Sequence, residues 1–416
     1  MPLLRWKLSY ARSTSFLGVS VSLDLVSTGS QIDRMAAHMA AHSERMRAVP
    51  LFAHELLRTW HYQHEDTVNF LEGIEQGGVW PFALPVDPLL TVRAIKPEPA
   101  SYTVLGTDGS QIEVDSHGLI HCCLINVGWA AISYGTKPEA WLSNQPLVVH
   151  QDEELFEDSE GSGLREAGEQ HLAMLRTIAE IERLAELAET WRSRPAPLAI
   201  ADGNLVRWEL GGRRSRLGMP TLLHRYTAAL ARFRTLGIPI CSYISRPNAR
   251  EVANTAALLA VRDCARGEHA MCERCSGRRD RLCESLRVMP DRDLLSHLRP
   301  GECSGLFRSL APVLQHYDFD DQILFCYLRT NDEMVRIELP RWVAASGHLE
   351  SIIASLYGQC LRGRGYPVVL MEAHEQAVIH TGGREAFRQL VMEALNNHDM
   401  GASVSGKRLS KDQRAV

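Results

Sequence analysis

The feature that most constrains this chain is a pair of short apolar runs that each end in Asp-Gly. They are Thr103-Val-Leu-Gly-Thr-Asp108-Gly-Ser110 and Pro197-Leu-Ala-Ile-Ala-Asp202-Gly-Asn204-Leu205. Each reads as a strand followed by a turn. Taken singly, an Asp-Gly pair is an ordinary turn signal. Taken together, the two runs are expected to bring two carboxylates side by side at one edge of a sheet. Oxygen ligands so placed suit hard divalent cations such as magnesium or manganese.

The neighbouring segments supply a sheet for these strands. Leu119–Val127 and Ala130–Tyr134 read as the second and third strands, and Leu147–His150 as another short one. A helix is expected to begin soon after Gly163 and end near Trp191, with Leu172, Leu175, Ile178, Ile181 and Leu184 as its apolar stripe. It places Glu166 in its first turn, where a helix N-terminus favours an acid. After Asp202 come a helix over 221–236, a strand over 238–245, a helical Arg- and Cys-rich stretch over about 250–310, and two strands within 320–339. A helix over 349–360, a final strand Tyr366–Glu372 and a helix over 384–395 complete the chain. Three strands followed by alternating helices and strands predict an α/β fold, a ribonuclease-H-like mixed sheet flanked by helices. The domain reading is a disordered extension over 1–34, with Met35 a candidate functional start, and a helical N-terminal arm over 35–100. The main, ribonuclease-H-like domain runs over 101–400 with its helical, Cys-containing insertion at about 250–310, and a basic tail occupies 401–416.

Composition sets outer bounds. At 416 residues, 45% hydrophobic and 23% charged, the chain suits a globular protein with a substantial core. Its formal net charge of -5 excludes a generally basic nucleic-acid coat but leaves room for a local basic groove beside acids. No apolar run approaches a membrane span, and the chain is expected to be cytoplasmic. Arg207, Arg213 and Arg214 follow directly on Asp202, and with Arg246 they are candidates for holding DNA phosphates. Trp208 and Tyr243 offer faces for unpaired bases, with core packing the competing reading for Tyr243.

His374 sits in Glu372-Ala-His374-Glu375, eight residues after Tyr366. Cleaving a phosphodiester requires a deprotonated water and neutralised charge on the phosphate, which two divalent ions held by carboxylates and an imidazole provide. The pieces Asp108-Gly-Ser110, Leu164-Arg-Glu166, Asp202-Gly-Asn204-Leu205, Tyr243-Ile-Ser-Arg246 and Gly365-Tyr-Pro-Val-Val-Leu-Met-Glu-Ala-His374-Glu375 resemble, in this order, the NurA nuclease family. The resemblance runs from about residue 100 to the C-terminus. It implies a manganese-dependent (or magnesium-dependent) DNA exonuclease and single-strand endonuclease acting in end resection and double-strand break repair. It also implies a homodimer that works with a HerA-type hexameric ATPase. On this resemblance Asp108, Glu166 and Asp202 hold the metal, His374 takes a metal or phosphate role, and Tyr366 positions the phosphate. The second motif continues Asn-Leu where Ser-Leu is more usual in the family.

Two other readings remain. One is a non-catalytic DNA-binding or ATPase-docking subunit of the same fold, and the other is a ribonuclease-H-like nuclease acting on RNA. Separately, Cys264, Cys272, Cys275 and Cys283 form a C-x7-C-x2-C-x7-C pattern. This suits a structural zinc site or an iron–sulfur cluster, with a loop of free thiols as the alternative.

Overall fold

The computed structural model describes residues 24–46, 49–74, 81–112, 122–150, 156–159, 163–166, 169–210, 219–263 and 282–399. The chain divides into a unit up to Leu51 and a unit from Phe52 onward. In the first, a helix spans Leu25–Met46. It begins ten residues before Met35, where the sequence placed its start. Asp24 explains the earlier start, because its Oδ1 accepts the Ser27 backbone N–H at 3.0 Å and so caps the helix.

The second unit is built on a mixed sheet flanked by helices. Its strands, with those of a separate ribbon, are β1 (Ala83–Pro85), β2 (Val92–Ala94), β3 (Tyr102–Ile112), β4 (Cys123–Tyr134), β5 (Glu139–Val149), β6 (Phe156–Ser159), β7 (Gly163–Glu166), β8 (Pro197–Asp202), β9 (Ile240–Ser245), β10 (Glu302–Ser304), β11 (Phe307–Ser309), β12 (Ile323–Arg329) and β13 (Met334–Pro340). The main path runs β1-β11-β12-β13-β9-β8-β3-β4-β5, with β10 and β2 joined alongside β12. β3, β4 and β5 form an antiparallel meander, while β8 lies parallel to β3, and β9 parallel to β8. β1 and β2 lie in the segment read as a helical arm, which also carries helices over Val49–His61 and His64–Glu72.

Four sequence assignments need correction. The stretch read as helical over about 250–310 carries two short strands, β10 and β11, near its end, where three-residue runs paired to β2, β12 and β1 show no period of their own. The segments read as a second and a third strand are one strand, β4, and the true third strand is β5. Gly128 and Trp129, which looked like a break, lie within β4 paired to β3. Glu166 does not open a helix. It ends β7, which pairs with β6 in a two-stranded ribbon, and the long helix starts three residues later, at Glu169. The apolar run Tyr366–Glu372 is not a strand either, because the helix Val368–Ala377 begins within it. Pro367 occupies the N-cap, where its missing N–H costs nothing. Val369, Leu370, Ala373 and Ala377 are buried at helical spacing, a pattern that seven apolar residues alone cannot distinguish from a buried strand.

Two apolar layers sandwich the sheet. On one face the long helix Glu169–Trp191 and the helix Met219–Leu236 bury Leu175, Ile178, Leu184, Leu230 and Phe233 against Leu105 and Ala199. On the other face the helices Leu349–Arg362 and Val368–Ala377 bury Ile353, Leu356, Val369 and Leu370 against Val104, Leu198 and Ile200. Odd and even positions of β3 and β8 therefore point into different layers, as strand alternation requires.

Candidate functional site

Asp108 and Asp202 come together as the sequence expected. Thr107 pairs with Ala201 in the parallel register of β3 and β8, so the next residues, the two aspartates, stand on adjacent strands at one level. The Gly203 turn at the open end of β8 has φ of +77°, a left-handed conformation that glycine adopts without strain. The loop beyond it is fixed. Leu205 and Val206 donate their backbone N–H groups to Glu338 Oε2 at 2.7 and 3.2 Å, while the Tyr226 and Tyr317 hydroxyls donate to Leu205 O.

The helix Val368–Ala377 carries His374 to this place. His374 Nδ1 lies 2.6 Å from Asp108 Oδ2. Two glycines allow the approach. A Cβ on Gly106 would come within 3.1 Å of Val369, and one on Gly128 would come within 2.3 Å of Ala373 O and Ala377 N. Gly128 is the cross-strand partner of Asp108, so the gap in the sheet lies directly beside the acid that the helix reaches. The end of the helix is clamped as well, since Asn126 Nδ2 donates to Ala377 O at 2.9 Å and the Ser110 hydroxyl donates to the same carbonyl. The Asp-Gly-Ser sequence thus supplies both an acid and an anchor for the helix that meets it.

Tyr366 hydrogen-bonds to Asp202. Although the Asp202 side chain reaches solvent, desolvation by the surrounding protein raises its pKa, the Tyr366 hydrogen bond opposes this, and the charge of Asp108 adds to the increase. Burial followed by the charge of Asp202 also holds the Tyr366 hydroxyl firmly protonated. Tyr243 is fully buried, edge-on to Tyr366 at 5.0 Å, with its hydroxyl donating to Glu333 and Gly365 O. Its place is in the core.

The structure adds one acid that sequence reasoning missed. Glu180, midway along the helix Glu169–Trp191, lies against Gly109, where an added Cβ would come within 2.4 Å of its Oε1. Thr107 Oγ1 donates to Glu180 O at 3.1 Å and ties this turn of the helix to the residue before Asp108. Burial raises the Glu180 pKa to about 8; Arg176 opposes the shift, and the charges of Asp108 and Asp202 add to it. Its signal in the sequence was an acid between Ile178 and Ile181, on the border of the buried stripe.

The remaining sequence candidates divide by position. Arg207 is buried, with its guanidinium 5.1 Å from the Tyr226 ring and its charge felt by Glu180. Arg246 follows β9 with φ of +42° and 80% of its side chain exposed, with Nε 3.4 Å from Glu333. Glu166 is placed only as the last residue of β7. Cys283 lies in the helix Leu282–Val288, whereas Arg213, Arg214, Cys264, Cys272 and Cys275 lie outside the described residues.

The donor chemistry fits a hard divalent cation. Two carboxylates and a third, buried carboxyl whose ionisation is opposed by its like-charged neighbours form an acidic corner that a cation would relieve. Among the described residues no three His, Cys, Asp or Glu groups already converge as a cage. The Asp108 carboxylate is turned to His374 and that of Asp202 to Tyr366. No helix of the described residues is long and apolar enough to cross a membrane.

No curated protein matches the chain. One solved structure that does, the crystal structure of prototype foamy virus protease–reverse transcriptase (native), shares 15% identity with a TM-score of 0.22. The match covers 36% of this chain, which spans only 18% of that one. The family model of the NurA domain matches residues 102–379, a range holding both Asp-Gly strands, the Glu180 helix and the Tyr366–His374 segment, and the chain belongs to the NurA family.

Proposed function

We propose that this protein is a metal-dependent DNA nuclease acting on DNA ends in double-strand break repair, as an exonuclease and single-strand endonuclease. The family membership supports nuclease function in DNA repair. The observation that carries the site is the 2.6 Å contact of His374 with Asp108, made beside the Asp202–Tyr366 pair and Glu180. The order β5-β4-β3-β8-β9, three antiparallel strands followed by two parallel ones, supports a ribonuclease-H-like reading of the sheet.

Asp108, Asp202 and Glu180 would hold manganese or magnesium, with Glu166 and His374 as further candidate ligands. The bound ion supplies a Lewis acid and a water deprotonated near neutral pH. Tyr366, protonated and hydrogen-bonded to Asp202, keeps that carboxylate oriented beside the phosphate. His374 holds Asp108 and takes a metal or phosphate role. Glu338, through the Leu205 and Val206 amides, keeps the Asp202 loop rigid. Association with a HerA-type ATPase and a homodimeric state belong to the same proposal, on the strength of the family alone. A zinc ion or iron–sulfur cluster at Cys264, Cys272, Cys275 and Cys283 is a separate proposal that rests on spacing.

The test is digestion of end-labelled linear DNA in manganese by wild type and by Asp108→Ala, with EDTA as control. Metal-dependent release of label by wild type alone is expected. Equal digestion by both proteins would remove Asp108 from the mechanism. Digestion by neither, with a HerA-type ATPase present, would favour a non-catalytic docking subunit, and digestion of RNA in preference to DNA would favour the RNA-directed enzyme.

A further inference from the structure

A second concavity adjoins the acidic corner. It has a volume of about 460 Å³, within the range of small-molecule sites, and it opens where β8 and β9 end. Asn204, Trp208, Ile244, Pro247 and the exposed Arg250 form its walls and rim. Its floor is a buried ion network in which Arg336 sets Nε 2.9 Å from Glu338 Oε1 and Nη1 2.5 Å from Glu251 Oε2. Arg336 is 2% exposed and is held by both carboxylates and by the Phe325 ring, whose centroid lies 3.6 Å from its guanidinium carbon, so the floor is a fixed polar surface and a ligand would be met by the walls.

The chemistry of the walls narrows the ligand. Two carboxylates surround one guanidinium on the floor, so the pocket is a poor anion site and better suited to a neutral polar group. Asn254, also buried, donates Nδ2 to Pro81 O at 2.6 Å and keeps Oδ1 as an acceptor. Asn248 accepts the Arg292 guanidinium at Oδ1, 2.6 Å away, and keeps its NH2 as a donor. Donors and acceptors in a pocket also lined by Trp208 and Pro247 suit the polar edge and apolar face of a heterocyclic base. Asn204 follows Asp202 by two residues, within about 7 Å along the chain.

We propose that this pocket receives one nucleobase of an unpaired DNA strand whose neighbouring phosphate lies at Asp108 and Asp202. The assignment rests on the nuclease reading and deepens it. A base can enter only when unstacked and unpaired, so the enzyme selects single-stranded or frayed ends.

The test uses binding without turnover. Labelled single-stranded oligonucleotides, each with one abasic residue moved stepwise from the end, are titrated with the protein in EDTA and followed by anisotropy. One position is expected to weaken binding about tenfold, equivalent to ~1.4 kcal/mol and within the range for one base on an aromatic face. Ala249→Trp, which fills the pocket from its rim, is expected to lower affinity for the intact strand by a similar factor and to flatten the scan. A flat scan with wild type, or no binding of the strand, overturns the proposal, and the wild-type scan decides it even where the variant fails to fold. Position-dependent binding with no cleavage in manganese would sink the nuclease reading alone. A flat scan with Asp108-dependent cleavage would sink the pocket alone.

Discussion

Glu180→Gln is expected to make the metal-free protein more stable at pH 8, by an amount that vanishes towards pH 5. The carboxyl is expelled from its charged form by burial in a corner that already holds Asp108 and Asp202, which moves its pKa from 4.5 to about 8. A raised carboxyl pKa means that the folded chain keeps a proton the unfolded chain has released. The stability penalty is absent below the unfolded pKa, grows as pH rises between the two values, and levels off above the folded one. At about 1.36 kcal/mol per unit, the penalty from pH 5 to pH 8 is on the order of 3 kcal/mol. The Nε of Arg176 lies 3.3 Å from Glu180 Oε1, and its attraction for the carboxylate is already contained in the raised pKa, so it adds no separate cost in the variant. The assay is urea unfolding of both proteins in EDTA at pH 5, 6, 7 and 8. Other groups titrate in both chains and cancel in the difference, so the variant's advantage over wild type should climb steadily with pH. Parallel curves across the four values would refute the reasoning and return Glu180 to the role of an ordinary ion-pair partner of Arg176.

Gly128→Ala places a methyl within 2.3 Å of the backbone of the Val368–Ala377 helix, so it is expected to destabilise the protein by about 1–3 kcal/mol in thermal unfolding and to move His374 off Asp108. An unchanged melting temperature would show that the helix has room to retreat. Tyr366→Phe removes the hydrogen bond that holds the Asp202 pKa down. Cleavage in manganese at pH 7 is expected to fall about tenfold or more, the worth of one charge-assisted hydrogen bond, and the acid limb of the pH–rate profile to move upward while the fold is retained. A profile that stays in place with full activity would remove the tyrosine from the site.

The parts of this site that lie on strands were legible, and the parts that lie on helices were harder to read. A strand ending in Asp-Gly announces itself locally, because the apolar run, the acid and the turn are contiguous, and the parallel register of β3 and β8 aligned both copies. His374 was legible only as a motif, and its helix was read as a strand because a short apolar run carries no reliable period. What decides the matter is tertiary. Val369 and Ala373 face two glycines of the sheet, and no local propensity records that approach. Glu166 had the opposite problem. Its helix-terminus logic was sound physics applied to a segment that forms a ribbon instead.

Glu180 shows why an acid can stand beside a candidate site and still be unremarked in its sequence. On the long helix it looks like one member of an Arg–Glu ladder, with Arg176 four residues before it and Glu182 and Arg183 just after. Glu182 does pair outward, with Arg225 at 2.8 Å. Glu180 differs only in its angle about the helix axis, which turns it to the sheet beside the inward-facing Ile181 and Leu184. Once there, burial raises its pKa, and the charges of two aspartates fixed by a different pair of strands add to the shift. Helical phase brings it to the sheet and strand register supplies its neighbours, so its chemistry arises only where the two periodicities cross.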